Sequence, residues 1–168
     1  TPTEVTLWGE VYSVESTTEL DLSGYDLRDI LNLNKYEMTA VKAIGATFLN
    51  QNLQGAHLQH ADLDKSDFRD SRLQKADLRA SSLKYALFAR GDLRQTNFSP
   101  LYFRNTDGSQ RMKPTDLSGA DFRYADLREA DFSYAILTGA DFSHAILNRT
   151  KFDEADLKGA LLKGTILE

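Results

Sequence analysis

The chain has 168 residues, 41% of them hydrophobic, and its 25 acidic and 20 basic side chains give a net charge of −5. That length suits one domain with a core of its own, and the absence of cysteine excludes a disulfide framework and thiolate chemistry while leaving the redox compartment open. No apolar run approaches the roughly 18 residues of a membrane-spanning helix.

Residues 1–45 are expected to form an N-terminal cap. They hold 8 acids and 3 bases, so the net charge of this segment is −5. The chain opens Thr-Pro-Thr without Met, which fits removal of a leader or trimming equally well. A strand is expected over Val5–Val14, with Trp8 and Tyr12 in it. Next, LDLSG and YDLRD read as two imperfect five-residue units centred on Leu22 and Leu27. A short helix is predicted over 35–44. Asn34 serves as N-cap with Glu37 three residues on, as in a capping box, and Leu33 and Met38 form a candidate hydrophobic staple. Met38, Val41 and Ile44 supply its apolar face and Gly45 stops it. Such a helix would cover the first coil of a solenoid beginning at Ala46.

From Ala46 the sequence settles into a repeat of five. Two blocks, 46–100 and 115–168, together hold 22 units, and every central residue is Leu (14) or Phe (8). The residue two before the centre is small: Ala in 13 units, otherwise Ser, Thr or Gly, with Gln51 the exception. A period of five matches neither 3.6 nor 2, so no amphipathic helix or plain strand keeps these centres on one face. A fixed short period means a solenoid whose units bury their centres by stacking on neighbours. Phe48, Phe68 and Phe88 stand twenty apart, and Phe122, Phe132, Phe142 and Phe152 ten apart. Those intervals suit a four-sided coil with two opposing Phe sides and two Leu sides. The 5.5 coils predict a rod on the order of 26 Å long. Ser66, Ser71, Ser81, Thr96, Thr115, Thr150 and Thr165 take inward small-residue places, where their hydroxyls can satisfy corner backbone groups. Gln51 is either half-exposed near the cap or hydrogen-bonded inside.

Between the blocks, residues 101–114 break the pattern. If they consume no side of the coil, Phe122 continues the Phe88 column, 34 residues on, and all eight Phe fall on two opposite sides. Thr106-Asp107-Gly108-Ser109 is a turn signal, so a hairpin is expected. Leu101, Tyr102, Phe103 and Met112 are expected to lie against the rod. A loop on a rigid scaffold is where recognition concentrates. Tyr102, Phe103, Arg104, Arg111 and Lys113 are therefore the candidate partner-binding residues. The segment carries net +2, and the two repeat blocks net −2.

In the second block Ile136, Ile146, Leu161 and Ile166 stand where Asp is usual. They would point outward near a last coil holding Leu157, Leu162 and Leu167. Ile146, Leu161, Ile166 and Leu167 are candidate contacts of a weak homodimer.

The A(D/N)LXX pattern, carried by the two blocks over roughly two thirds of the chain, resembles the pentapeptide-repeat proteins. That resemblance implies an all-β fold, a right-handed quadrilateral parallel β-helix with centres and small residues inward; the predicted helix would cap its N-terminal end. Ten units have Asp just before the centre, and in this family that side chain points outward. Asp121 and Asp141, and Asp92 and Asp126, then stack as carboxylate pairs, read as a solvated face beside Arg and Lys rather than a cation site. His57, His60 and His144 lack metal-ligand spacing and are read as surface residues. With no Gly-rich phosphate loop, no nucleophile–base pair and a filled core, no enzyme activity and no cofactor are expected. The function implied is a non-catalytic scaffold or protein-interaction module, like many members from cyanobacteria and the thylakoid lumen, its partner unnamed. The alternative is a DNA mimic binding a type II topoisomerase, as quinolone-resistance members do, although this rod lacks their negative charge. The compartment is open between thylakoid lumen or periplasm and cytoplasm, with the missing Met leaning toward an exported or lumenal form. Neither membrane insertion nor direct nucleic-acid binding is expected.

Overall fold

The computed structural model describes residues 3–7, 10–14, 21–30, 33–35 and 37–167. From residue 21 onward the chain winds as a right-handed quadrilateral parallel β-helix. Successive coils pair through parallel bridges between residues twenty apart, such as Asp62 with Ser82 and Asn52 with Arg72. Each centre donates its N–H one coil on (Leu53 to Arg72 O, 2.7 Å), and the residue before it accepts and donates in turn (Arg72 N–H to Gln51 O, 2.9 Å). Five residues make a side because a turn follows every centre. The N–H three residues on returns to the centre's carbonyl, as from Ala56 to Leu53 at 3.0 Å. The second residue after the centre then adopts positive φ, near +60°, as at Asn50 and Glu154. A side chain there costs about 1–2 kcal/mol, so stacking, not local preference, holds these corners.

The core is made of columns. Phe48, Phe68, Phe88, Phe122 and Phe142 stack with centroids 4.6–5.0 Å apart and rings within 6° of parallel. Phe98, Phe132 and Phe152 form the facing column. Across the core the two meet edge to face at 5.4–6.1 Å. The spacing of parallel strands is nearly that of stacked rings, so identical residues twenty apart pack without adjustment. Phe88 on Phe122 at 5.0 Å confirms that 101–114 takes up no side of the coil. Inward hydroxyls close the corners, for example Ser66 to Leu63 O, Ser81 to Leu58 O and Thr96 to Leu73 O at 2.5–2.8 Å.

The N-terminal part departs from expectation. No helix spans 35–44: residues 37–44 continue the coil, preceded by one 3₁₀ turn, Leu33–Lys35. Met38 and Ala43 occupy buried centres and Val41 an inward small-residue place. Glu37 bridges His57, and Lys42 bridges both Asp21 and Asp62. The capping-box pattern is overridden because the same residues keep the five-residue register, where each buries its apolar group on the coil above. Coil pairing begins at Asp21, with Leu22 and Leu27 as centres. There the offset is 21 rather than 20 (Asp26 pairs with Thr47), so one extra residue lies between Leu27 and Leu33. Gln51 is buried beside it and directs its amide at the carbonyls of Leu27, Arg28 and Ile30 at 2.5–3.2 Å. The odd residue in the small-residue place therefore serves the bulge.

The single strand expected over Val5–Val14 is two, β1 (Thr3–Leu7) and β2 (Glu10–Val14), paired antiparallel, and Trp8 falls outside the described residues. Residues 101–114 form the expected hairpin, β3 (Leu101–Arg104) and β4 (Gln110–Lys113). β1 pairs with β3, giving a four-stranded sheet in the order β2-β1-β3-β4.

Candidate functional site

The β3–β4 hairpin leaves the coil at Pro100 and returns at Thr115. Its tip is closed by Asn105 N–H to Ser109 O (2.7 Å), with Gly108 at φ 86° making the reversal. Hydrogen bonds from Ser109 hold the Asp107 carboxyl below its ordinary range. Along β3 side chains alternate, as strand geometry requires. Leu101 and Phe103 turn inward and are buried against Ala80, while Tyr102 and Arg104 face solvent. Ala80 sits at a corner that carries His60 in one neighbouring coil and Tyr134 and Glu154 in later ones, and its small size admits the Phe103 ring. Its N–H donates to Thr115 Oγ1 at 2.9 Å, tying the foot of the hairpin to the coil.

One coil up, the same corner carries His60. Its ring lies 5.1 Å from that of Phe103, and Lys113 Nζ donates to its Nδ1 at 2.6 Å. With Lys113 as an ammonium group, which cannot accept, the His60 ring is neutral with its proton on Nε2. Burial, reinforced by the charges of Lys113 and Arg111, lowers its pKa to about 4. The Lys113 amine is itself lowered, by burial and by Arg111. Arg111 lies over the Phe103 ring, 4.8 Å from its centroid.

The five candidate partner-binding residues therefore divide. Phe103 is wholly buried and cannot meet a partner; strand alternation puts it on the inner face. Arg111 and Lys113 are engaged in docking the hairpin. Tyr102 and Arg104 remain outward, and Tyr102 has the exposed Met112 opposite it, so neither of these apolar groups lies against the rod as expected. His60 is half-buried by the hairpin rather than a plain surface residue. Sequence reasoning also missed Gln59, wholly buried, which donates to Asp77 Oδ2 at 2.8 Å.

On the outer faces the stacked aspartates hold arginines. Asp92, Asp121 and Asp126 each grip the arginine two residues on through its Nε and Nη2 at 2.6–2.9 Å. Burial raises the Asp126 carboxyl, but hydrogen bonds from Arg128 outweigh it and the net shift is downward. His144 stacks on Tyr124 at 4.9 Å. At the last coil, Ile146 and Ile166 pair on one side and Leu161 lies on the adjacent side, opposite Asp141. Leu161 (55% exposed), Ile166 (48%) and Leu167 (68%) form an apolar rim, with Ile146 half-buried beside it. Among the described residues no helix is long and apolar enough to cross a membrane.

The family model described as pentapeptide repeats matches in 8 copies, over residues 38–70, 64–99, 115–149 and 137–168. HetL of the cyanobacterium Nostoc, a pentapeptide-repeat protein involved in regulating heterocyst differentiation, is 31% identical over 88% of this chain and 68% of its own, with a TM-score of 0.39. A pentapeptide-repeat protein of the Arabidopsis thaliana thylakoid lumen is 25% identical over 76% of this chain and 66% of its own (TM-score 0.36). The plasmid-mediated fluoroquinolone resistance protein QnrB1 is 19% identical over 88% of this chain and 72% of its own (TM-score 0.31). No curated protein matches the sequence significantly.

Proposed function

The chain belongs to the pentapeptide-repeat family, and on that premise we propose that it is a non-catalytic scaffold whose hairpin flank engages another protein. The observation that carries this reading is the hairpin itself. Its inner face is fixed by Leu101, Phe103, Arg111 and Lys113, and its outer face offers Tyr102, Arg104 and Met112 to solvent. The core behind it is filled by stacked Phe and Leu. Affinity capture from the native host, with the whole chain and with a chain lacking 101–114, tests it. A partner lost on deletion supports the reading; a partner retained moves the site elsewhere. The topoisomerase reading has its own assay, DNA gyrase supercoiling with and without a quinolone. Inhibition or protection at micromolar protein would put that reading first. Self-association through Ile146, Leu161, Ile166 and Leu167 belongs to the same proposal, as a weak contact between two copies.

A further inference from the structure

Charge is distributed unevenly around the coil. The side centred on Leu53, Leu73, Leu93, Leu127 and Leu147 carries five cations outside, Arg72, Lys75, Arg94, Arg128 and Arg149, against three carboxylates, Asp92, Asp126 and Glu129. The other three sides are neutral or negative. One edge of this positive side is hollowed into a groove. Two clefts of about 730 and 370 Å³ share Lys75 and Gln95; the larger reaches the foot of the hairpin at Pro100, Leu101 and Tyr102, and the smaller runs past Arg94, Arg128 and Arg149.

The groove is equipped for an anionic strand. Lys75 has no carboxylate within 4.0 Å among the described residues. Arg94 and Arg128 are held side-on by Asp92 and Asp126 through Nε and Nη2, which fixes each guanidinium plane and leaves its Nη1 protons for a second acceptor. Arg149, 79% exposed, pairs with Glu129 at 3.1 Å. β3 is an interior strand, flanked by β1 and β4, and its foot at Leu101 and Tyr102 borders the larger cleft. The strand already seated on β3 places Glu4 opposite Arg104. The smaller cleft, where the arginines gather, has no aromatic side chain on which a base could stack, and the larger has as aromatic lining just His57 and Tyr102, near the hairpin foot, which favours a peptide over a run of stacked bases.

We propose that this groove binds an extended acidic peptide of a partner protein. Its carboxylates meet Lys75 and the arginines beyond. This rests on the interaction-module reading and gives the partner's chemistry. Fluorescence anisotropy with a labelled decapeptide of alternating Glu and Val tests it, beside a Lys–Val decapeptide and an oligothymidylate of the same length. The Glu–Val peptide should bind saturably. Lys75→Glu with Arg149→Glu should weaken it about tenfold or more, while Lys158→Glu with Lys163→Glu, on other sides of the coil, should not. Arg149→Glu alone, at an exposed position, should give a smaller loss in the same direction. The proposal is overturned by absence of saturable binding, equal loss in the two double variants, or tighter binding of the oligothymidylate. If the groove fails these tests while hairpin deletion still abolishes partner capture, the groove alone is refuted and the interaction module stands.

Discussion

Deleting residues 101–114, so that Pro100 joins Thr115, separates the hairpin from the coil it decorates. The register is unchanged, because Phe88 already stacks on Phe122 across the excursion. Burial of Leu101 and Phe103 contributes about 1.5–3 kcal/mol each. Against it stands the ordering of the hairpin backbone, about 1–2 kcal/mol per residue before its own hydrogen bonds are counted. Docking is thus close to balanced, and the deletion should change global stability by about 2 kcal/mol or less in urea unfolding followed by circular dichroism. The sharper readout is His60. In the full chain its pKa is about 4 against an ordinary 6.5; without Phe103, Lys113 and Arg111 it should return toward 6.5. Above pH 6.5 the ring is neutral folded and unfolded, and stability does not depend on it. As pH falls from 6.5 toward 4 the unfolded chain takes up a proton that the docked state refuses, so docking weakens. The full shift corresponds to about 3 kcal/mol, and partial exposure of the ring reduces this to about 1–2 kcal/mol. The whole chain should therefore lose stability, or release its hairpin, over that interval, and the deletion variant should not. NMR titration of the histidine ring protons measures both. A His60 that still titrates near 4 after deletion, or a fold that collapses, would refute the account of the hairpin as a docked ornament.

Gln51→Ala should strip the bulge carbonyls of Leu27, Arg28 and Ile30 of their donor, costing about 1–3 kcal/mol, with the lost amide protection in hydrogen exchange confined to the first coils. Gly119→Ala places a Cβ 2.6 Å from the Tyr85 ring at φ +68°, whereas Gly139→Ala, at φ +70°, meets nothing within 4 Å. Both should destabilise by about 1 kcal/mol through the backbone, Gly119→Ala by more, and Tyr85→Ala in the same chain should remove the difference in thermal melts. Sedimentation of this 168-residue chain at rising concentration should show weak dimerisation that Ile166→Asp abolishes; a strict monomer at hundreds of micromolar speaks against the apolar rim as a contact.

The core was legible because its signal is redundant. Every centre repeats its neighbour's chemistry, and the Phe intervals alone establish four sides and the passage across 101–114. The start of the coil was not, because its centres are disguised. Leu33, Met38 and Ala43 keep the spacing of five, but Ala43 is a small centre, and Met38, Val41 and Ile44 also satisfy a helical period over two turns. Only burial on the coil above decides between them. The hairpin was found from its turn residues, yet the side it presents inward depends on a neighbour distant in sequence. Ala80, the small residue at a corner, is the trace of Phe103, readable once the coil is closed. Block totals of charge likewise concealed a positive side, since charges that share a face are scattered at intervals of twenty.

The ladder of parallel bridges has a mechanical meaning. A chain pulled by its ends loads the last coil at either end, not the whole stack, so coils should peel off one at a time. Each ordinary coil frees 20 residues, about 70 Å of extended chain, whereas the coil interrupted by the hairpin spans the 34 residues from Asn97 to Asp131, about 120 Å. In a force–extension record that longer step would mark where along the rod the hairpin sits. The molecule thus carries its own internal length marker.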